Sequence, residues 1–562
     1  MLRFRLGLRC AACALISSLL STSTTVAQIT IDANFDSGSL KSYSVTRAAI
    51  NLVGRDSYAF GQHPLGGDHW RWMYFKATGV LNTNPTFSVA GEFGGDNTDY
   101  PPTLANHELA DHEMVYSYDG VNWEFFPHAN NTLQNIGDGN SANDLFTFNL
   151  GSNFTQNEVY VAYAIPYTYA RSTAHTQKVI ASPWATPTAS GNANGVIGQS
   201  PAGVDDIGRS IPALDLYAYR ITNPATDSAT PKHRVMIATG QHASETLGIY
   251  TYEGLVDWLI SDDPRAAALR DKTEILGYPT LNASGRYAGL NRSMLQWQNT
   301  DSNGYWYPNA VSSSDYVSPQ RTEQMINGEA MRADKAATPG AVTDLFLDFH
   351  SSVPDYNIAG PNGEGGGGRD DWGYITNNAA SLNNPWWLAL KELQPNLLEE
   401  TSGTTAASKT LTGFALGFLN AQMSVTLENQ FGISRPISFY QDYGKNVGLA
   451  MYEAWIRVDN PLAADFDEDG DVDAGDLAAW KLGFGTLSDA QHYQGDANND
   501  GVVDGADLLV WQRQFGGTSP PIAIPEPTGV LQLFTGLMFM SLLWYQSHRR
   551  LLLKHELQLA PT

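Results

Sequence analysis

From residue 210 onward the chain alternates two apolar periods, and this restricts its fold more than any other feature. "HRVMIATG" (233–240), "EILGYPTL" (274–281), "DLFLDF" (344–349) and "MSVTLE" (423–428) are short, nearly unbroken apolar runs. That is the pattern of strands buried on both faces. "ETLGIYTYEGLVDWLI" (245–260) instead has apolar residues at helical spacing. Strand, helix, strand order implies an α/β sheet with helices on both faces. Open sheets of this kind place their sites at the carboxyl ends of the strands.

Three of those ends carry reactive side chains. Directly after the first run, "GQHASETLG" puts His242 and Glu245 one helical turn apart. Alone this spacing is close to chance; its position at a strand end opening a helix is what selects it. Neutral imidazole and carboxylate are suitable zinc ligands. His350 ends the third run and offers a third ligand. Glu428 lies near the end of the fourth, and a carboxylate on a buried strand needs a reason. It has one as the general base to a zinc-activated water.

His242-x-x-Glu245, His350 about 105 residues on, and Glu428 another 78 on resemble the zinc carboxypeptidase family. The branch most similar is the cytosolic carboxypeptidases, which remove residues from protein C-termini and carry a β-sandwich directly before the catalytic domain. Here residues 28 to about 175 contain short alternating runs, "TFSVAG", "MVYSYDG" and "EVYVAYAI", the pattern of an antiparallel β-sandwich. "VYVAYAIPYTYAR" is very like the branch's joining segment. "ASPWATPTASGNANGVIGQSPAG" (181–203) then reads as a separating loop.

The resemblance assigns further roles. The family's Asn-Pro-Asp-Gly, arginine and Asp-x-Asn-Arg correspond to Asn282-Ala283-Ser284-Gly285, Arg292 and Asp301-Ser302-Asn303-Gly304. Arg292 would then polarise the scissile carbonyl, Asp301 would hold the far nitrogen of His242, and Asn303 would help hold the substrate's terminal carboxylate. Gly304 stands where the family has the carboxylate-gripping arginine. A competing alignment makes Leu290 to Arg292 the carboxylate-binding motif and Arg286 the polarising arginine.

Residues 461–517 contain a gap-free internal repeat, "DFDEDGDVDAGDLAAWKLGFG" and "DANNDGVVDGADLLVWQRQFG". Asp465, Asp467, Asp469, Asp471, Asp473 and Asp476 occupy positions 1, 3, 5, 7, 9 and 12 of an EF-hand-like loop. Asp496, Asn498, Asp500, Val502, Asp504 and Asp507 repeat them, position 7 acting through its backbone carbonyl. Two structural Ca²⁺ ions are expected. With Trp480 and Trp511 at equivalent places, the pair resembles a type I dockerin, whose family partner is a cohesin module. Loop positions 10 and 11, commonly Ser-Thr in that family, are here Ala474-Gly475 and Gly505-Ala506.

Both ends read as targeting segments. Arg3, Arg5 and Arg9, the apolar "CAACALISSLL" and a cut before Gln28 form a secretory signal. Both cysteines, Cys10 and Cys13, fall within it, so the exported chain would have no disulfide. Pro525-Glu526-Pro527, an apolar run from Gly529 to Tyr545, then Arg549 and Arg550 resemble a PEP-CTERM sorting signal, which implies membrane association and cleavage by an exosortase. A net charge of −25 argues against nucleic acid as the main partner.

The expected architecture is multidomain: a signal peptide (1–27), an antiparallel β-sandwich (28–175), and an α/β zinc-carboxypeptidase-like domain with a mixed sheet and flanking helices (205–457). A small α dockerin-like EF-hand pair (463–517) and a sorting or transmembrane segment (525–552) follow. The expected function is an exported zinc metallocarboxypeptidase with one catalytic Zn²⁺, acting on peptide or protein C-termini at the cell envelope. Alternatives are a zinc amidase or deacylase acting on a side-chain or cell-wall amide, and a non-catalytic surface-binding or scaffold protein.

Overall fold

The computed structural model describes residues 28–46, 49–55, 72–90, 112–135, 145–226, 232–296, 302–306, 321–338, 342–352, 371–376, 378–431, 434–457, 462–488, 490–498 and 500–518. The two targeting segments and Asp301 lie outside them. Among the described residues, no helix is long and apolar enough to cross a membrane.

The strand-rich N-terminal region forms two five-stranded sheets. Inward residues of both build a core rich in phenylalanine, with Phe87 stacked on Phe148 at 5.1 Å and Phe126, Phe154 and Val161 fully buried. The sandwich is not purely antiparallel as expected. Ala49–Val53 pairs in parallel with Thr86–Ala90, because the chain crosses to Tyr74–Thr78 in the opposite sheet before returning.

An eight-stranded mixed sheet follows. Its spatial order is Ala185–Pro187, Tyr219–Ile221, Thr273–Tyr278, His233–Thr239, Thr343–Ser352, Ala421–Gln430, Trp372–Thr376, Leu398–Ser402. The four apolar runs are its four central strands, all parallel, and neighbours on both sides run antiparallel to them. The stretch 181–203 is not a plain separating loop. Ala185–Pro187 forms one edge of this sheet, where a proline is tolerated because no further strand needs its missing N–H.

The helix Thr246–Leu259 is buried on every side except at Asp257. A Cβ on Gly248 would lie 2.2 Å from the His350 carbonyl oxygen, so the helix rests directly on the third central strand. Its other face meets the segment joining it to the sandwich. Thr246 Oγ1 donates to Ile165 O (2.8 Å) and Tyr250 Oη to Pro166 O (2.9 Å), while Arg171 pairs with Glu253 (2.7 Å). Leu247, Ile249 and Tyr250 belong to the same hydrophobic core as the sandwich phenylalanines. The sandwich and the α/β sheet thus form one packed body.

Asp262–Leu269 and the chain from Met451 form a second compact unit. Its helices Ala474–Gly483 and Gly505–Gln514 open on reciprocal capping boxes, Asp473 with Asp476 and Asp504 with Asp507. The repeat folds as a pseudo-symmetric pair: Trp480 Nε1 donates to Asp504 O (2.9 Å) and Trp511 Nε1 to Asp473 O (2.8 Å). Val472 and Val503 are fully buried.

Candidate metal centre

The first central strand stops at Thr239, and Gly240 turns the chain with φ +72°. His242 and Glu245 follow before the buried helix begins. The chain leaves this strand towards Thr273–Tyr278 on one side, while the strand carrying His350 lies on the other. The crevice opens between them, as at a switch point of an open sheet.

In this crevice His242, Glu245 and His350 converge, each nearly inaccessible to solvent. Glu245 spans both rings, with Oε1 at 2.7 Å from His242 Nδ1 and Oε2 at 2.7 Å from His350 Nδ1. The two Nδ1 atoms are 3.2 Å apart. Donors of a tetrahedral zinc at its usual bond lengths lie roughly 3.3 Å from one another, so the nitrogens need almost no movement. Burial works against the Glu245 carboxylate, yet His242 and His350 outweigh it and hold its pKa well below the usual range. Two imidazoles and an ionised carboxylate, dry and facing each other, are a donor set suited to zinc.

Two groups fix these ligands from behind, and sequence reasoning missed both. His350 Nε2 lies 2.8 Å from Asp348 Oδ2, ion-pair distance though off the hydrogen-bond direction. Asp348 was findable: residues two apart on a strand share a face, so Asp-x-His is itself a signal. Ser351 donates its N–H to Glu245 Oε2 (3.1 Å) and accepts from Gly248 N at its Oγ (2.9 Å). No local pattern marks that role.

Glu428 stands directly beside His350 in the parallel register. Its Oε2 is buried with no hydrogen-bond partner. Burial, and then the charge of Glu245, push its carboxyl up to about 7, against the pull of His350, Arg292 and His242. Arg292 reaches the same cluster, its Nη1 2.8 Å from Glu245 Oε1. Arg286, the alternative polarising arginine, is packed behind Gly240 and over the Tyr167 ring, fully buried; burial lowers it to about 10. Arg292 is therefore the arginine at the ligand cluster.

Asn303 lies beside the start of a helix of the α/β domain. Its Oδ1 accepts from Leu411 N (3.1 Å), at the start of the helix Leu411–Gly417. A Cβ on Gly304 would meet nothing within 4 Å.

In the second unit, Asp465, Asp467 and Asp476 bring carboxylate oxygens together. Asp465 accepts from Asp469 N (3.1 Å) and Gly470 N (3.0 Å), and Asp476 from Asp467 N (3.2 Å) and Asp473 N (2.7 Å). The second loop repeats this: Asp496 accepts from Asp500 N (3.2 Å) and Gly501 N (2.8 Å), and Asp507 from Asn498 N (3.3 Å) and Asp504 N (2.8 Å). Asp469, Asn498 and Asp500 each bond a backbone N–H two residues on, while Asp473 and Asp504 cap helices; Asp471 and Val502 supply position 7. Burial and the charges of Asp476 and Asp469 raise Asp467 to about 6.

Comparison with known proteins agrees with this geometry. Residues 200–332 match the zinc carboxypeptidase family. The chain is 22% identical to cytosolic carboxypeptidase 3 of Bos taurus over 335 residues, 58% of this chain and 30% of that one. It is 27% identical to human cytosolic carboxypeptidase 6 over 154 residues, 26% of this chain and 27% of that one. It spans less than a third of the length of these relatives. The fold is that of a metallo-carboxypeptidase from Burkholderia cenocepacia, with TM-score 0.53 at 18% identity, covering 76% of this chain and 99% of that one. Residues 200–332 are thus similar to a zinc carboxypeptidase domain, and the chain has the fold of a metallo-carboxypeptidase.

Proposed function

We propose that this protein is an exported zinc metallocarboxypeptidase that hydrolyses C-terminal peptide bonds. The observation that carries the reading is the convergence of His242, Glu245 and His350 beside Glu428 and Arg292. His242, Glu245 and His350 would hold the metal. A zinc ion bound there supplies Lewis acidity, which polarises a carbonyl and acidifies water. Glu428 takes the proton from the attacking water at its buried, unpartnered Oε2 and returns it to the leaving amine. Arg292 faces the charge that grows on the carbonyl oxygen, where a fixed cation contributes most in the transition state. Asp348 keeps the His350 ring oriented with Nδ1 towards the cluster. Asp301, outside the described residues, would hold the far nitrogen of His242 by the family resemblance.

The test is release of C-terminal amino acids from peptides, with and without a zinc chelator. E428Q should retain zinc and lose roughly 10²–10⁴ of the rate. Full activity in E428Q would refute the mechanism.

A second reading, an amidase or deacylase of the same fold, is favoured by the carboxylate side of the site. Gly304 offers no side chain where the family's carboxylate-gripping arginine stands. Blocking a peptide's terminal carboxylate as an amide separates the two. A carboxypeptidase loses its rate; an amidase keeps it.

The second unit is proposed as a dockerin-like calcium module holding one Ca²⁺ per loop, with a cohesin-like protein as its partner. The matched pairs of buried aspartates support it: Asp465 with Asp476 and Asp496 with Asp507 gather the backbone N–H groups of their loops in the same way, and in the first loop burial and the charges of Asp476 and Asp469 raise Asp467 to about 6. Export by residues 1–27, membrane attachment through 525–552 and exosortase-type processing rest on the sequence pattern.

A further inference from the structure

The turn that delivers Arg292 is gripped by the N-terminal sandwich region. The short helix Ala283–Tyr287 ends in two carbonyls that its own backbone cannot satisfy. Both are taken by donors from outside the turn. Ser37 N donates to Tyr287 O at 2.9 Å. Arg55, which follows the sandwich strand Ala49–Val53, donates its Nη1 to Ala288 O. Arg209 Nη2 donates to the same oxygen at 2.5 Å.

The two guanidinium groups are locked in turn. Asp205 Oδ2 lies 3.3 Å from Arg55 Nη2 and 2.7 Å from Arg209 Nε, and Asp206 Oδ1 also meets Arg55 Nη2. Arg209 Nη1 reaches back to the sandwich loop at Ala33 O (2.9 Å) and Gly38 O (3.0 Å). That loop is itself fixed, with Trp72 Nε1 donating to Ser37 O at 2.9 Å. Contact is so close at the next residue that a Cβ on Gly289, at φ +64°, would lie 2.4 Å from Gly38 O.

Three residues beyond Gly289 comes Arg292. In between, Ser244 donates its N–H to Asn291 O (3.1 Å) and its Oγ to Asn291 Oδ1 (2.6 Å), tying the turn to the segment carrying His242 and Glu245. The turn is thus held at both ends, by the sandwich at Ala288 and by the ligand segment at Asn291. Arg55 is 2% exposed, so this grip is made in a dry environment where a charge-assisted hydrogen bond is strong.

We propose that Arg55 of the sandwich is a positioning residue for the hydrolytic site, setting through Ala288 the place from which Arg292 acts. The sandwich is then a part of the catalytic apparatus, not a separable binding module. The activity half of this inference rests on the peptidase reading above; the structural half does not.

The test uses the full chain with R55Q and R55K, read by amide hydrogen exchange, zinc content and peptide kinetics. In R55Q, exchange in peptides covering 283–292 should rise roughly ten- to a hundredfold, the effect of losing a charge-assisted hydrogen bond. Exchange in 343–352 and 421–430 and stoichiometric zinc should stay as in the wild type. The kcat should fall up to roughly a hundredfold with KM little changed, the cost of displacing a positioned group by about 1 Å. R55K, which keeps the charge against Asp205, should fall between the two. Faster exchange confined to the sandwich, with kcat unaltered, would overturn the proposal and leave Arg55 a structural residue. Should R55Q fail to fold, R55K decides by the same readings. A wild type that cleaves no peptide would defeat the peptidase reading and leave the exchange comparison standing.

Discussion

Glu323→Gln should make the protein more stable at pH 8 and remove a pH dependence that the wild type shows. Glu323 lies in the first turn of the helix Thr322–Ala337 and is 2% exposed. It accepts from Ser284 N (3.2 Å) and Ser284 Oγ, and so pins the same turn that leads to Arg292. Burial raises its carboxyl from 4.5 to about 7, more than those hydrogen bonds lower it. Between those values the folded state binds the proton and the unfolded chain does not. The contribution to stability is therefore fully present below pH 4.5 and is lost as pH rises through 7. A shift of about 2.5 units corresponds to about 3 kcal/mol. Glutamine keeps an acceptor for Ser284 N and supplies a donor for its Oγ, so it mimics the protonated acid at every pH. Thermal unfolding followed by tryptophan fluorescence from pH 4.5 to 8 measures this. At about 2–4 °C per kcal/mol, the gap between variant and wild type should widen by roughly 6–12 °C towards pH 8. Parallel curves across that range would show that Glu323 does not carry its proton in the fold.

Asp348→Asn should weaken zinc binding by roughly 10–100-fold, measured by competition with a chelator, while leaving the melting temperature close to that of the wild type. Gly248→Ala drives a methyl into the His350 carbonyl, 2.2 Å away, and should cost about 1–3 kcal/mol of stability together with zinc affinity; normal zinc content and stability would mean the helix can move off the strand freely. Asp465→Ala should reduce calcium bound by the full chain from two ions to one in calorimetry, and Asp496→Ala the same from the other loop; unchanged stoichiometry in either variant would contradict the loop assignment.

Much of the site was readable along the chain because each part is a local event. A strand buried on both faces has to be apolar, so a histidine or glutamate at its end stands out, as at His242, His350 and Glu428. The calcium-type loops are legible for the same reason: positions 1, 5 and 6 of each interact within a few residues, as Asp465 does with Asp469 and Gly470. Asp348 shares a strand face with His350 and was equally available. Other features depend on where distant segments meet. Two arginines six residues apart were equivalent in spacing; only the packing of Arg286 behind Gly240 and of Arg292 against Glu245 separated them. The parallel pairing of Ala49–Val53 with Thr86–Ala90 depends on the chain's detour through the opposite sheet, which no alternation of polar and apolar residues encodes. The strand at 185–187 was hidden because its composition is that of a turn, and it forms only because the edge of a large sheet accepts it.

The sequence by itself determined the α/β sheet, its four central strands and the residue types at their ends, because periodicity and burial are properties of consecutive residues. Only the tertiary structure decided which of those ends face one another and which arginine joins them. It alone turned Asn303 to a helix start, and it alone placed Arg55 on a turn 233 residues away. These are consequences of strand order and close packing, and such contacts between distant segments leave no local trace.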